Sequence, residues 1–180
     1  MKFVVATLLA LFTATAWGAT VDQNRSVFTW TGTKVTGSFH TGNLKPLSSS
    51  INVVDGRLQG GTVVLDLQTF TVTDIQGKYA MKFLSHMKSD DFFDVASHPT
   101  ATLTMTTVDS GQASGTLTIR GKTAPVSFPV AERDGGYVGT MGFDRTKYGM
   151  IYRSGNFFAD LGDKIISDEV KVDFKVFLAE

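Results

Sequence analysis

Through much of this chain apolar and polar residues alternate one by one, and that alternation points to sheet. In a β-strand successive side chains point to opposite faces, so a period of two marks a strand with one buried face. Val170, Val172, Phe174, Val176 and Leu178 alternate with Lys171, Asp173, Lys175 and Phe177. Val63, Leu65 and Leu67 alternate with Val64, Asp66 and Gln68, and Leu117 and Ile119 with Thr116, Thr118 and Arg120. Val126, Phe128 and Val130 alternate with Ser127, Pro129 and Ala131. Weaker strands are read over 27–31, 34–40, 51–54, 101–108 and 137–143. Turn signals separate them at Asp55-Gly56, Gly60-Gly61, Ser110-Gly111, Gly121-Lys122 and Asp134-Gly135-Gly136. Short turns between consecutive strands imply antiparallel pairing. Roughly eight strands fit, as a closed barrel or a sandwich. Neither a repeat nor a linker is apparent, so one domain is expected.

One segment breaks the pattern. Over 76–87, Tyr79, Phe83 and Met87, with Ala80 and Leu84, repeat at helical spacing. Asp74 is the expected N-cap. Ser89 is placed to cap a second short turn, SDDFFD, and Pro99 ends any helix before the extended run from Ala101. The segment 44–50 reads as a polar, Pro-containing edge or mobile loop, and an exposed edge there leaves a homodimer open.

The N-terminus gives a separate signal. Lys2, an apolar run from Phe3 to about Phe12 and then small residues have the form of a secretory signal peptide over 1–18. Cleavage is expected after Ala16 or Gly18, and residues 19–180 form the single mature domain. The run is too short for a membrane span, so the expected location is the periplasm or the exterior, without stable membrane insertion. The 180-residue chain balances 17 basic with 17 acidic residues, which gives no footprint for nucleic acid. It has no Cys, so disulfides and thiolate chemistry are excluded. Asn24-Arg25-Ser26 matches a short glycosylation sequon by accident of composition.

Catalytic patterns are missing: there is no GxSxG, HExxH, P-loop or GxGxxG. Asp90 and Asp91 are adjacent, so their side chains diverge. His86 and His98 fall on different elements, and no third ligand stands at metal spacing. No enzyme activity, metal or cofactor is therefore expected.

The stretch HMKSDDFFDV from His86, followed by His98-Pro99-Thr100-Ala101, resembles the signature of the YceI-like family of polyisoprenoid-binding proteins. Other landmarks follow in order: WTGTKV from Trp30, HTG from His40, GTLTIRGKT from Gly115, FDRTKYGM from Phe143 and DEV from Asp168. Met87 stands where Leu is usual, and Tyr148 where Phe is commoner. The resemblance covers the chain from about Val21 onward. It implies an all-β fold, an eight-stranded antiparallel lipocalin-like barrel with one flanking helical insert at about residues 75–94. It also implies an interior for an isoprenoid, a quinone-like side chain or a fatty amphiphile, and no established reaction.

Large apolar residues at inward or helix-facing positions are the candidate lining: Trp30, Phe83, Phe93, Met105, Met141, Phe143, Tyr148, Met150 and Phe174. Lys34, His40 and Arg145 are candidate head-group contacts, with Asp91 or Asp94 as alternative partners for Arg145. The leading expectation is an exported carrier or sequestering protein for such a lipid. The rivals are a filled structural or stress barrel and, from another class, a lipid-modifying enzyme using His86 or His98. A lipid tunnel should measure several hundred Å³. Replacing Asp91 or Phe93 is expected to harm folding before function.

Overall fold

The computed structural model describes residues 16–179, so most of the expected signal peptide lies outside the described residues. Among the described residues nine strands form: β1 (Ala16–Ala19), β2 (Val27–Lys34), β3 (Phe39–Val54), β4 (Arg57–Asp66), β5 (Thr100–Asp109), β6 (Gln112–Ile119), β7 (Lys122–Arg133), β8 (Gly136–Asp144) and β9 (Ile166–Val176). One α-helix, α1 (Gly77–Lys88), lies between β4 and β5. Strands β2 to β9 close into an eight-stranded antiparallel barrel, because β3 pairs with both β2 and β4. β1 pairs with the far end of β3, Ala16 opposite Val54 and Ala19 opposite Ile51. Both candidate cleavage points thus fall within β1.

The hairpins follow from local sterics. At Asp55-Gly56, Ser110-Gly111, Arg120-Gly121 and Asp134-Gly135 both central residues have positive φ. That conformation matches the twist of the flanking strands and favours a glycine second. Gly121 is thus the second turn residue, and Lys122 already opens β7. Gly60-Gly61 is no turn: both residues lie within β4, where a Cβ on Gly60 would come 2.7 Å from the Met105 carbonyl oxygen.

Two other segments differ from expectation. Residues 34–40 are not a strand. Lys34 ends β2, its N–H donates to the Ser38 carbonyl, and β3 begins at Phe39. Residues 44–50 are not a loop but the middle of the 16-residue β3. Pro46 is tolerated because the β3–β4 register shifts between Pro46 and Ser48. The other side of this stretch is covered by the N-terminal segment, where Val21 N–H donates to Ser49 Oγ and Gln23 Nε2 to the Leu47 carbonyl. The exposed edge on which a homodimer was to rest is therefore occupied.

Helix α1 forms where expected, but not with the expected caps. Gln76 occupies the N-cap without a side-chain bond. Asp74 binds β3 instead, as described below. Ser89 donates its hydroxyl back to the His86 carbonyl, closing α1. A short turn does follow, its Phe92 and Asp94 N–H groups donating to the Ser89 carbonyl, but the Ser89 side chain does not cap it. Phe83, Leu84 and Met87 pack on the core, whereas Tyr79 is 68% exposed. The apolar stripe meets the barrel only in its C-terminal half.

Arg145 anchors the end of β8. It is 2% exposed and donates from Nε to the Ser167 carbonyl, from Nη1 to the Met150 carbonyl and from Nη2 to the Ile166 carbonyl and Asp168 Oδ1. Its partner is thus Asp168 on β9, not Asp91 or Asp94. Burial pulls its pKa below the ordinary guanidinium value, and the Asp168 and Asp144 carboxylates oppose that pull. Asp168 Oδ2 accepts from Ser154 Oγ and Asn156 Nδ2, both at 2.8 Å. One ion pair thereby binds β8, β9 and the 151–165 loop. Asp168→Asn removes the charge facing a buried guanidinium and is expected to cost about 3–5 kcal/mol, read as a lower denaturant midpoint at unchanged slope. Arg145→Lys should be nearly as damaging, since an ammonium cannot reproduce the planar fork.

Candidate lipid-binding site

The site begins with a packing problem at Gly42. In the β2–β3 ladder Gly42 lies opposite Trp30. A Cβ on Gly42 would collide with the Thr71 carbonyl and lie 2.9 Å from Trp30 Nε1. The missing side chain lets the strap that precedes α1 lie along β3. Thr71 N–H donates to the Asn43 carbonyl, and Thr73 N–H to the Thr41 carbonyl. Trp30 Nε1–H donates to the Thr71 carbonyl at 3.0 Å, so the buried indole is satisfied.

This strap places aromatic rings in a row. Trp30 stacks on Phe70 with centroids 4.6 Å apart and lies 6.0 Å from Phe83. Phe70 meets Phe93 at 5.4 Å. These four rings roof an apolar cavity of about 190 Å³ inside one end of the barrel. Leu44, Leu117, Ile119, Met141, Phe143 and Val172 are among the residues of its walls. Apart from the buried Arg145 and its neighbour Ser167, its charged and polar side chains Lys34, Ser38 and His40 stand beside the exposed ring of Phe39.

Of the nine expected lining residues, Trp30, Phe83, Phe93, Met141, Phe143 and Met150 line this cavity. Met105, Tyr148 and Phe174 do not. Phe174 packs edge-on against Phe128, over Gly139, in the filled half of the barrel. Met105 is buried on β5 opposite Gly61 and Gly115. Tyr148 sits behind Phe143, 5.6 Å away and edge-on, and its burial, with Asp144 nearby, pushes its phenol up to about 12. Facing inward is thus not the same as facing empty space. Phe70 and Phe92 also line the cavity and were missed. The TFT context of Phe70 was a usable strand-like signal, but only the Gly42 contact shows where that segment lies.

The three candidate head-group residues all line the cavity. Arg145 is committed to its carbonyls and Asp168. Lys34 stands at the end of β2 and makes no ion pair or side-chain hydrogen bond with a described residue. His40 Nδ1 lies 2.7 Å from Asp74 Oδ2, and Thr41 N–H donates to Asp74 Oδ1 at 2.9 Å. The His40 ring also packs 4.7 Å from Phe83. Partial burial pushes the Asp74 carboxyl up, but the bonds from Thr41 and His40 outweigh it and hold the pKa below the ordinary value.

His86 and His98 do not line the cavity. His86 pairs with the exposed Asp91 at 2.9 Å and packs edge-on against Phe92 and Tyr152. Phe93 is buried, in keeping with the folding role expected for it, whereas Asp91 makes one exposed pair worth about 0–1 kcal/mol. Among the described residues no cluster of His, Asp and Glu is arranged to hold a metal ion.

A closed antiparallel barrel with an aromatic-roofed cavity in one end is a lipocalin-like architecture. The YceI-like domain profile matches residues 19–178, and the chain belongs to that family. The fold is similar to that of the Burkholderia cenocepacia protein BcnA, with a TM-score of 0.64 and 20% identity over 89% of this chain and 99% of that one. It is also similar to a polyisoprenoid-binding domain from Saccharophagus degradans implicated in plant cell wall breakdown, with a TM-score of 0.60 and 18% identity over 89% and 97%. No curated protein matches by sequence.

Because the folded pKa of Asp74 is depressed, its contribution to stability is present above the unfolded value and is lost as pH falls through the folded one. Asp74→Asn should therefore lower stability by about 0.5–1 kcal/mol at neutral pH, the modest size reflecting solvent screening. Thermal melts of the two proteins should begin to converge below about pH 4 and meet once Asp74 is protonated in the folded state. A difference that survives full protonation would assign the effect to something other than charge.

Proposed function

We propose that this protein binds a polyisoprenoid or a similar long-chain amphiphile in the barrel, and that it acts as an exported carrier or sequestering protein. The observation that carries this reading is the cavity itself: apolar walls, an aromatic roof, and polar groups at the mouth in Lys34, Ser38 and His40, the buried Arg145 being already paired. Such a site takes a chain by burial and orients a polar head at the opening. Each five-carbon isoprene unit withdrawn from water is worth about 4 kcal/mol at about 0.8 kcal/mol per CH₂. Membership of the YceI-like family supports the ligand class, as does the likeness of fold to a domain described as polyisoprenoid-binding. Export rests on the signal-peptide form of residues 1–18.

The free volume is smaller than the several hundred Å³ expected. At about 190 Å³ it falls below the usual ligand-pocket range of about 300–1,000 Å³, and this favours the filled-barrel rival. Three features favour binding. Met87, Met141 and Met150 line the cavity, and unbranched Met side chains shift at low cost. The mouth is open, so a long chain need enter only in part. Lys34 stands at the mouth, where an anionic or polar head group would lie.

Organic extracts of the purified protein, read by mass spectrometry beside native mass spectrometry of the intact protein, should show a stoichiometric long-chain lipid. Ala101→Phe, which places a ring in the cavity wall, should cut the affinity for such a chain at least about tenfold while costing about 1–3 kcal/mol of stability. Lipid-free protein that also fails to take up added polyprenol would select the filled-barrel reading.

A further inference from the structure

We propose that the rim of the cavity mouth docks on the interface of a phospholipid bilayer, with Phe157 and Phe158 as the inserting residues. The proposal rests on the lipid-binding reading above and says where the ligand is exchanged. Four apolar side chains stand exposed on two adjoining segments, the β2–β3 connection with the first residue of β3 and the 151–165 loop: Val35 (60%), Phe39 (56%), Phe157 (55%) and Phe158 (45%). The segments adjoin because Val35 N–H donates to the Ile165 carbonyl, and the Ile165 side chain packs over Gly155. Phe39 also lines the cavity, so at this residue the exposed apolar surface reaches the interior.

The phenylalanine pair is held out, not left loose. Both Phe157 and Phe158 N–H groups donate to the Ser154 carbonyl. Ser154 is fully buried, and its hydroxyl and the Asn156 amide are bound to the Asp168 carboxylate that faces Arg145. Neither ring lines the cavity, so neither is a ligand contact.

Area and charge identify the occupant. The four side chains expose roughly 400 Å², taking aromatic side chains at about 150–250 Å² each. That is about half of the ~800 Å² per partner of a stable protein interface, which argues against a second copy. Attachment at the headgroup boundary instead strengthens with the apolar area buried, so a patch of this size suits a reversible contact with a bilayer. The loop's charges cancel, Arg153 and Lys164 against Asp160 and Asp163, so attachment is apolar and does not need anionic lipid. Among the described residues no helix is long and apolar enough to cross a membrane, and the contact is peripheral.

Flotation with phosphatidylcholine vesicles tests this on the full chain. Phe157→Ser combined with Phe158→Ser should lower the vesicle-bound fraction and the rate of probe transfer to vesicles about tenfold, at low and high salt alike. Solution binding of a soluble fluorescent fatty-acid probe should not change. In Phe157→Trp, the added emission over the parent protein should be quenched by lipids brominated on the acyl chain. Equal flotation of the double variant together with an unquenched tryptophan overturns the proposal. So does a parent protein that is dimeric and whose dimer, not its flotation, is lost in the double variant. Flotation without any probe binding would leave the docking surface standing and remove the lipid-carrier reading instead.

Discussion

The ion pair between Arg145 and Asp168 fixes the end of the barrel that carries the site. Taking a guanidinium and a carboxylate out of water costs several kcal/mol for each ion. Here the cost is offset by satisfying them: three carbonyls and one carboxylate surround Arg145, and a hydroxyl and an amide complete Asp168. The network draws on three segments. β8 runs into Arg145, β9 supplies Ser167 and Asp168, and the 151–165 loop supplies Ser154 and Asn156. An apolar cluster of the same size could hold these segments together, but it would allow them to slide. The planar fork of Arg145 sets both their spacing and their orientation.

The aromatic roof depends on that fixed end and on the absence of a side chain at Gly42. The strap over β3 can close down only there, and the Trp30 indole turns its N–H toward the strap because a carbonyl waits for it. Phe70 and Phe93 then stack in sequence, and Phe83 arrives from α1. His40 and Asp74 tie the front of the same strap to β3. The barrel is thus built unequally. One half is filled by side chains such as Phe128 and Phe174, and the other is roofed and left partly empty.

Strand alternation, the hairpin turns, the position of α1 and the family motifs were legible in the sequence because each depends on neighbours within a few residues. What failed depended on distant partners. Asp74 has the chemistry of an N-cap, but its carboxylate is bound by His40 and Thr41 on β3. Tyr79 fits the helical stripe, yet the barrel wall does not extend under the first turn. Pro46 reads as a strand breaker until a register shift in β3, where Leu47 is the extra residue against β4, accommodates it. Of the nine residues assigned to the lining, the three that miss the cavity have the same polarity and period as the six that reach it. Where the space lies is decided by Gly139, which admits the Phe174 ring, and by Phe143, which shields Tyr148. Periodicity does not carry that information.

The pairing of β2 with β9 has a kinetic consequence. Phe28 faces Phe174 across this ladder, although nearly the whole domain separates them in sequence. Neighbouring hairpins can form as soon as their strands are available, but the ring cannot close until β9 arrives, and β9 also brings Asp168. Before that moment β2 and β8 each have an unpaired edge, and Arg145 lacks both its counter-ion and the β9 carbonyls that surround it. Folding is therefore weighted toward a late step of high contact order, the slow regime for β-proteins. During that interval the chain exposes the strand edges that favour aggregation.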